Sequence, residues 1–468
     1  MNMTFDSLTI LEILFFASII LAAGIYSLFR KQSNLESYFV GDRSISWPMI
    51  GASVFAAEFF FLSLFLPSWD YTSVPRFQLE KTILSIIVLL VSVWVIIPRM
   101  SENGRLTTVS YFSDRFGKVF GMVTAVLLLM IYLLFGLNYI FLYFNHIMKT
   151  IYGAGVKPFG IILIVLTGIF AIIGGYTTAV RLQGIAVAGM LSSGIFLAAH
   201  GIYPINLFSV STVSLPGLSF TAWIGYGVIL IFVYTSNQYL VQHLFAARNT
   251  TVMKKGVTFA IVLKVVVIGL SLYAGNAAVS HAEPQSSTGE SAAAITIFFG
   301  SIVISMLLGL FTSSAALISV NVFHSYVPSA TNRTLVLVSR LITTNVVVAA
   351  IFIVLSTELY EFSYLRLFQS MIIILAAPIA VLTLAALVFK NRPVRGHVAA
   401  LCGGVIAGAV LLMLRQSYHR HITGISNLSD YEICAYSSLV CVVIVVSATV
   451  WQQQFARVED YSAEKARV

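Results

Sequence analysis

From Thr9 to Trp451 the chain repeats one pattern: an apolar run of about 20 residues, a short polar break, then another apolar run. No other feature limits the fold as sharply, since runs of that length are suited to a bilayer core rather than to water. A transmembrane β-barrel would need strands of about ten residues alternating apolar and polar, whereas these runs are continuous. Composition agrees. Hydrophobic residues make up 59% of the 468 and charged residues 10%, against about 25% charged in a soluble domain. The expected fold is therefore an all-α polytopic membrane protein.

The runs place spans at Thr9–Phe29, Trp47–Leu66, Leu79–Ile97, Val119–Asn145, Phe159–Gly175, Gly184–Tyr203 and Ala222–Val241. The remaining six are Val257–Val279, Ala293–Val320, Thr334–Ser356, Leu367–Phe389, Val398–Leu414 and Ile433–Trp451, which makes thirteen. The first run is followed, not preceded, by cations (Arg30, Lys31) and reads as a retained span rather than a cleaved signal. With thirteen spans, and with Lys81 and Arg340 counted with the loops they border, one side of the membrane collects nineteen Lys and Arg and the other seven, which leaves Lys264 inside a span. The positive-inside rule then sets the N-terminus outside and the C-terminus in the cytoplasm of a cytoplasmic-membrane protein. The net charge of +9 lies almost wholly between the runs, so it marks loops at a lipid surface and no nucleic-acid partner. The polar loop Ser280–Ser291 has room for a short surface helix, and the charged tail Gln452–Val468 is expected to fray.

Glu58 and Lys264 are the ionisable residues inside spans that matter most, because such groups are costly in lipid and mark pathways. Glu58 reads as a proton carrier, cation ligand or solute contact, against a structural carboxyl bonded to a neighbouring helix. For Lys264, a stem snorkelling to the cytoplasmic interface competes with an inner-gate contact. Pro378 removes a hydrogen bond within its span and is expected to kink it. Gly174-Gly175 ends a short span and permits a tight re-entry, and Gly404 to Gly408 suits close helix contact. Cys402, Cys434 and Cys441 fall in apolar runs and read as unpaired thiols. Asn249 and Asn332 head Asn-x-Thr triplets in loops expected to be cytoplasmic, so neither reads as a glycosylation site. The sequence carries no phosphate loop, metal-spaced His/Cys cluster or convergent nucleophile–base set, so ATP-driven transport and enzymology lose ground. A channel is disfavoured by the absence of a pore-loop or charged-ring signal.

The stretch Asn237-Gln238-Tyr239-x-x-Gln242, then Ala246-Ala247-Arg248, Lys255-Gly256, Phe259-Ala260 and Leu263-Lys264, closely resembles the signature of the sodium/solute symporter family, nearest its sodium/sugar branch. Four more stretches follow in that family's order. They are Tyr38–Ser44 with Trp47 and Gly51-Ala52-Ser53; Thr108–Phe112 with Arg115–Lys118; Gly174-Gly175-Tyr176; and Pro378 with Phe389-Lys390, Arg395-Gly396 and Gly404. The resemblance covers roughly residues 38 to 408. It implies a five-plus-five inverted-repeat transporter fold, with repeats at 47–203 and 222–414 and flanking helices at 9–29 and 433–451. It also implies a midplane site beside unwound parts of core helices one (Trp47–Leu66) and six (Ala222–Val241), where freed carbonyls hold a cation.

Carried over position by position, the resemblance puts cation ligands at Ala56, Phe59, Ile302, Ser305 and Met306. Here the chain departs from the family: Met306 replaces a hydroxyl with a thioether, a poor ligand for a hard cation. Leu182-Gln183 replaces Thr-Asp, Phe60-Phe61-Leu62-Ser63 is largely apolar, and Asn321-Val322-Phe323 stands for Asp-Ile-Tyr. Solute contacts are expected from Glu58, Ser63, Asn237, Tyr239, Gln369 and Ser370. Lys264, Pro378, Gly174 and Gly175 fill gate or structural roles. The resulting expectation is a cation-coupled symporter of a small organic solute, using Na+ or H+ and no organic cofactor. The rival is a degenerate homologue that no longer transports and serves as a membrane sensor or assembly partner for another protein.

Overall fold

The computed structural model describes residues 7–28, 34–65, 75–152, 157–200, 219–280, 289–356, 364–389, 396–417 and 428–465. All regular structure among them is helical. In chain order the helices are α1 (Ser7–Leu28), α2 (Leu35–Val40), α3 (Trp47–Phe65), α4 (Pro75–Val91) and α5 (Ile97–Met100). Next come α6 (Thr108–Phe116), α7 (Lys118–Leu129), α8 (Leu137–Tyr152), α9 (Lys157–Ala199), α10 (Phe220–Ile231) and α11 (Gln238–Phe245). The last seven are α12 (Thr250–Ser280), α13 (Gly289–Ala316), α14 (His324–Tyr326), α15 (Asn332–Ser356), α16 (Tyr364–Val388), α17 (His397–Ser417) and α18 (Asp430–Lys465). π-Helical turns join α4 to α5, α7 to α8, α10 to the break before α11, and α13 to α14.

Local chemistry sets several boundaries. Asn34 and Ser37 form a reciprocal capping box that starts α2, with the Ser37 amide 2.6 Å from Asn34 Oδ1. Gly41, at φ +60°, ends it in the left-handed cap that glycine favours. Thr107 caps α6, which stops at Gly117. Within α9, Gly175 leaves helical geometry at φ +55°, ψ −152°, so the Gly174-Gly175 pair separates two helical arms as the sequence predicts. A side chain at Gly175 would meet the Tyr38 carbonyl at 2.9 Å, so α2 packs directly on that bend.

Every one of the thirteen apolar segments overlaps a helix, two of them as the arms of α9. Among the described residues, eight helices are long and apolar enough to cross a membrane, or nine with the bent α10–α11 pair as one span. The chain is thus a multi-pass membrane protein. In the span through α13, 89% of the apolar window is buried, against 28% for the α15 and α17 spans, which marks α13 as central and the other two as peripheral. Leu14, Phe15, Ile83, Ile87, Phe352 and Met413 are exposed on outward faces, as lipid-facing side chains should be. α13 packs against α9, α3 against α12, and α18 against α10, α16 and α17.

Two expectations change, at α18 and at α3. Helix α18 continues to Lys465, where fraying was expected, in keeping with the strong helix formers Gln, Ala, Glu and Lys there. Helix α16 runs through Pro378 as one element, and α17 fits closely at Gly404, where an added Cβ would lie 3.0 Å from Pro378 Cβ. The predicted break in Trp47–Leu66 is absent: α3 is continuous, and after Gly51 it contains no glycine or proline to interrupt its ladder. Loop residues 281–288 lie outside the described residues.

Candidate functional site

The second expected break is present. After a π-turn over Phe232–Ser236, Asn237 adopts φ −80°, ψ 108°, and the helices on either side meet at 47°. A break inside a membrane leaves backbone groups that need partners, and neighbouring side chains provide them. Asn237 Oδ1 caps α11 by accepting from the Tyr239 amide at 3.2 Å, and it accepts from the Tyr132 hydroxyl at 2.5 Å. The same amide lies 3.0 Å from Tyr132 Oη. Thr108 donates to the Ser236 carbonyl at 3.1 Å, while Gln238 Oε1 accepts from the Thr108 amide at 2.8 Å. Ser236 and Thr383 hydroxyls lie 2.7 Å apart, which ties the break to α16. Asn237 Nδ2 is buried without a partner, so Asn237 secures the break and keeps its amide nitrogen unbonded.

Linked to the turn before this break, Glu58 is 1% exposed near the middle of α3. Its Oε1 accepts from the Lys264 ammonium and, at 2.5 Å, from the Tyr234 hydroxyl. Lys264 also donates to Ser85 Oγ of α4. Glu58 Oε2 has no partner. Lys264, 7% exposed and midway along α12, does not snorkel to the interface. The reason is electrostatic: isolated in a medium this dry either charge would be very costly, and each is held by the other. One polar cluster therefore joins α3, α4, α12 and the turn before Asn237.

A second cation lies beside it. Lys81 of α4, 1% exposed, donates to Tyr431 Oη at 3.0 Å and sits 4.9 and 5.6 Å from the Tyr431 and Tyr226 ring centres. Cation–π contact suits an ammonium removed from water. The charge count from sequence assigns Lys81 to the flank of its span. The overlooked signal is a polar stripe, Lys81, Ser85 and Ser92, spaced four and seven residues apart on one face of an apolar helix. Sequence reasoning also missed Tyr132 and the buried pair of Tyr176 and His243, whose hydroxyl and Nδ1 are 2.8 Å apart.

At four of the residues expected to bind a cation, the backbone carbonyls already have partners. A continuous α3 commits the carbonyls of Ala56 and Phe59 to its own ladder. The Ser305 carbonyl accepts from Gln183 Nε2 at 3.0 Å, and the Met306 carbonyl from Tyr239 Oη at 3.3 Å. Ile302 is half-buried on the same helix. Tyr239 is thus an interhelical tie between α11 and α13. Ser370 is drawn to a different corner, donating to Asp430 at 2.9 Å where Arg415 also binds that carboxylate at 2.7 Å. Gln369 is buried on α16. The side chains of Ser63 and Phe59 lie outside the described residues.

No family model matches the chain. It is 24% identical over 312 residues to a sodium/glucose cotransporter of Vibrio parahaemolyticus, covering 59% of this chain and 57% of that protein. It is 22% identical to sodium/glucose cotransporter 4 of Mus musculus, over 92% of this chain and 73% of the relative. For sodium/glucose cotransporter 1 of Oryctolagus cuniculus the values are 21%, 86% and 71%. A solved structure of a Na+-coupled sialic acid symporter, in a substrate-bound outward-open state, shares the fold with a TM-score of 0.74 at 16% identity. That match covers 96% of this chain and 98% of the other.

Proposed function

We propose that this chain, a divergent relative of the sodium/solute symporters, is a secondary active transporter that couples entry of a small organic solute to a cation by alternating access. The observation that carries this reading is the helix broken at Asn237 in mid-span, whose preceding turn is bonded through Tyr234 to a buried and incompletely bonded carboxylate. A purely structural bundle gains nothing from an open turn and an ion pair at membrane depth, since both need dedicated partners. In a transporter the same features are expected, because the site must alternate between solute-bound and self-satisfied states.

The two repeats, 47–203 and 222–414, would rock about this point, with 9–29 and 433–451 as flanking helices. Solute would be received by Glu58, Lys264, Ser85 and the free amide of Asn237, with Tyr239 holding α13 behind them. The chain would sit in the cytoplasmic membrane, N-terminus outside and C-terminus inside. Counter-flow uptake of a solute panel in proteoliposomes, at varied sodium and pH, tests the proposal. Uptake of at least one solute, dependent on sodium or pH and lost when Asn237 is altered, is expected. A degenerate, non-transporting homologue would give no uptake and no solute- or ion-dependent thermal stabilisation of the purified protein.

A further inference from the structure

We propose that Glu58 and Lys264 form an exchange site at which a proton and an organic carboxylate enter together. The coupling ion of the transport reading is then H+ and its solute an anion. The inference rests on that reading. Its first support is the lopsided bonding of Glu58. Both donors, Lys264 and Tyr234, bind Oε1, and Oε2 is buried with no partner. A bare carboxylate oxygen beside a helix break is a place for a proton to land. The second is that a cation is already built in. Lys264 is tethered, so its ammonium neutralises Glu58 without any ion from solution. A thioether, a poor ligand for a hard cation, stands at Met306 where the family has a hydroxyl, and a continuous α3 commits the carbonyls of Ala56 and Phe59 to its own ladder.

Neutrality then dictates the exchange. Protonation of Glu58 at Oε2 removes the negative partner of Lys264 and leaves an uncompensated ammonium at membrane depth. Such a state is strongly disfavoured unless another anion arrives. An incoming carboxylate pairs with Lys264, whose ammonium has three donors, while Glu58 holds its proton. On the other side the carboxylate leaves, the proton leaves Oε2, and the Glu58–Lys264 pair re-forms. One proton and one anion cross together, no covalent bond to carbon changes, and the cluster carries the same charge throughout. Facing the pair are Ser85 and Lys81 from α4, Tyr226 and Tyr234 from the α10 span, and Tyr431 from α18 beyond Lys81. Lys81 remains with its own tyrosines and takes no part in the exchange.

The test uses the full chain, purified and reconstituted. Infrared difference spectra taken with and without lactate should show a protonated-carboxyl band that appears with the anion and that Glu58→Gln removes. Thermal stability should rise with lactate, gluconate or N-acetylneuraminate but not with glucose or proline. The apparent affinity should increase up to about tenfold per unit fall in pH while one proton is linked. The double variant Glu58→Gln/Lys264→Gln keeps the cluster neutral and serves as the folded control, and it should lose both responses. Absence of the band, or no response to any of the three anions, overturns the inference. Sodium-driven uptake of a neutral solute unaffected by pH also overturns it while leaving the transport reading intact. No solute or ion response in any assay overturns both.

Discussion

Helices α3 and α10–α11 both reach the candidate site, yet they are built on opposite plans. The α10 span opens at Asn237, side chains from α6 and the turn joining α7 to α8 satisfy freed backbone groups, and Thr383 of α16 holds the Ser236 hydroxyl beside them. Helix α3 stays closed and brings polarity to the same depth through the carboxylate of Glu58. It also lies hard against α12, since a Cβ on Gly51 would fall 2.4 Å from the Gly256 carbonyl. An opened helix offers backbone polarity and room to bend. A closed one offers rigidity, and any charge it carries must be neutralised by a side chain. The chain thus combines a hinge-like wall with a rigid, charged one.

The sharpest way to break this contrast is to remove one charge from the rigid wall. Lys264→Met leaves Glu58 buried and unpaired, and the loss in stability should be about 3–5 kcal/mol. Glu58→Met/Lys264→Met should recover most of it, because two apolar residues of similar volume remove both desolvation penalties. Thermal unfolding in a single detergent reads both. A single variant as stable as the native chain would mean that water or lipid headgroups reach the pair.

Tyr234→Phe comes next. The hydroxyl donates to a charged acceptor, and such bonds contribute about 1.5–3 kcal/mol. The loss should fall below 1 kcal/mol in the double Met background, where the carboxylate is gone, so a double-mutant cycle isolates the link between the two walls. Gly51→Ala tests rigidity itself. Backbone cannot give way as a side-chain tip can, so forcing α3 from α12 should cost about 1–3 kcal/mol and slow transport more than it weakens solute binding.

These effects show where sequence was sufficient. Apolar run length located helices throughout the described chain, because lipid imposes one length and one composition on each span. Gly174-Gly175 announced its own bend, since few residues but glycine adopt that conformation. Glu58 stood out as an acid among phenylalanines. Its partner's role did not, because Lys264 near a span end fits snorkelling as well as pairing, and only tertiary contact with α3 decides. Lys81 was hidden by position: three residues from the start of a run, it reads as a flank until Tyr431, 350 positions away, is seen to close over it. The break in α10–α11 lacks glycine and proline altogether. It depends on Asn237 as a cap and on Tyr132 from another helix, which apolar periodicity does not register.

Asn237→Ala should have the smallest effect on stability and a large one on function. Loss of an N-cap costs about 0.5–2 kcal/mol, and here the Tyr132 hydroxyl loses its acceptor as well. Against this, the variant removes Nδ2, a buried donor with no partner, whose relief offsets part of the loss. Net destabilisation near 1 kcal/mol is expected in thermal unfolding. Asn237→Ser keeps a capping oxygen and drops the orphan amide, so it should fold as well as the native chain. If the unbonded amide nitrogen serves the solute, both variants lose uptake, although only the first loses the cap. Normal uptake in Asn237→Ser would reduce Asn237 to a cap and leave the rigid wall, with Glu58 and Lys264, as the sole source of solute recognition.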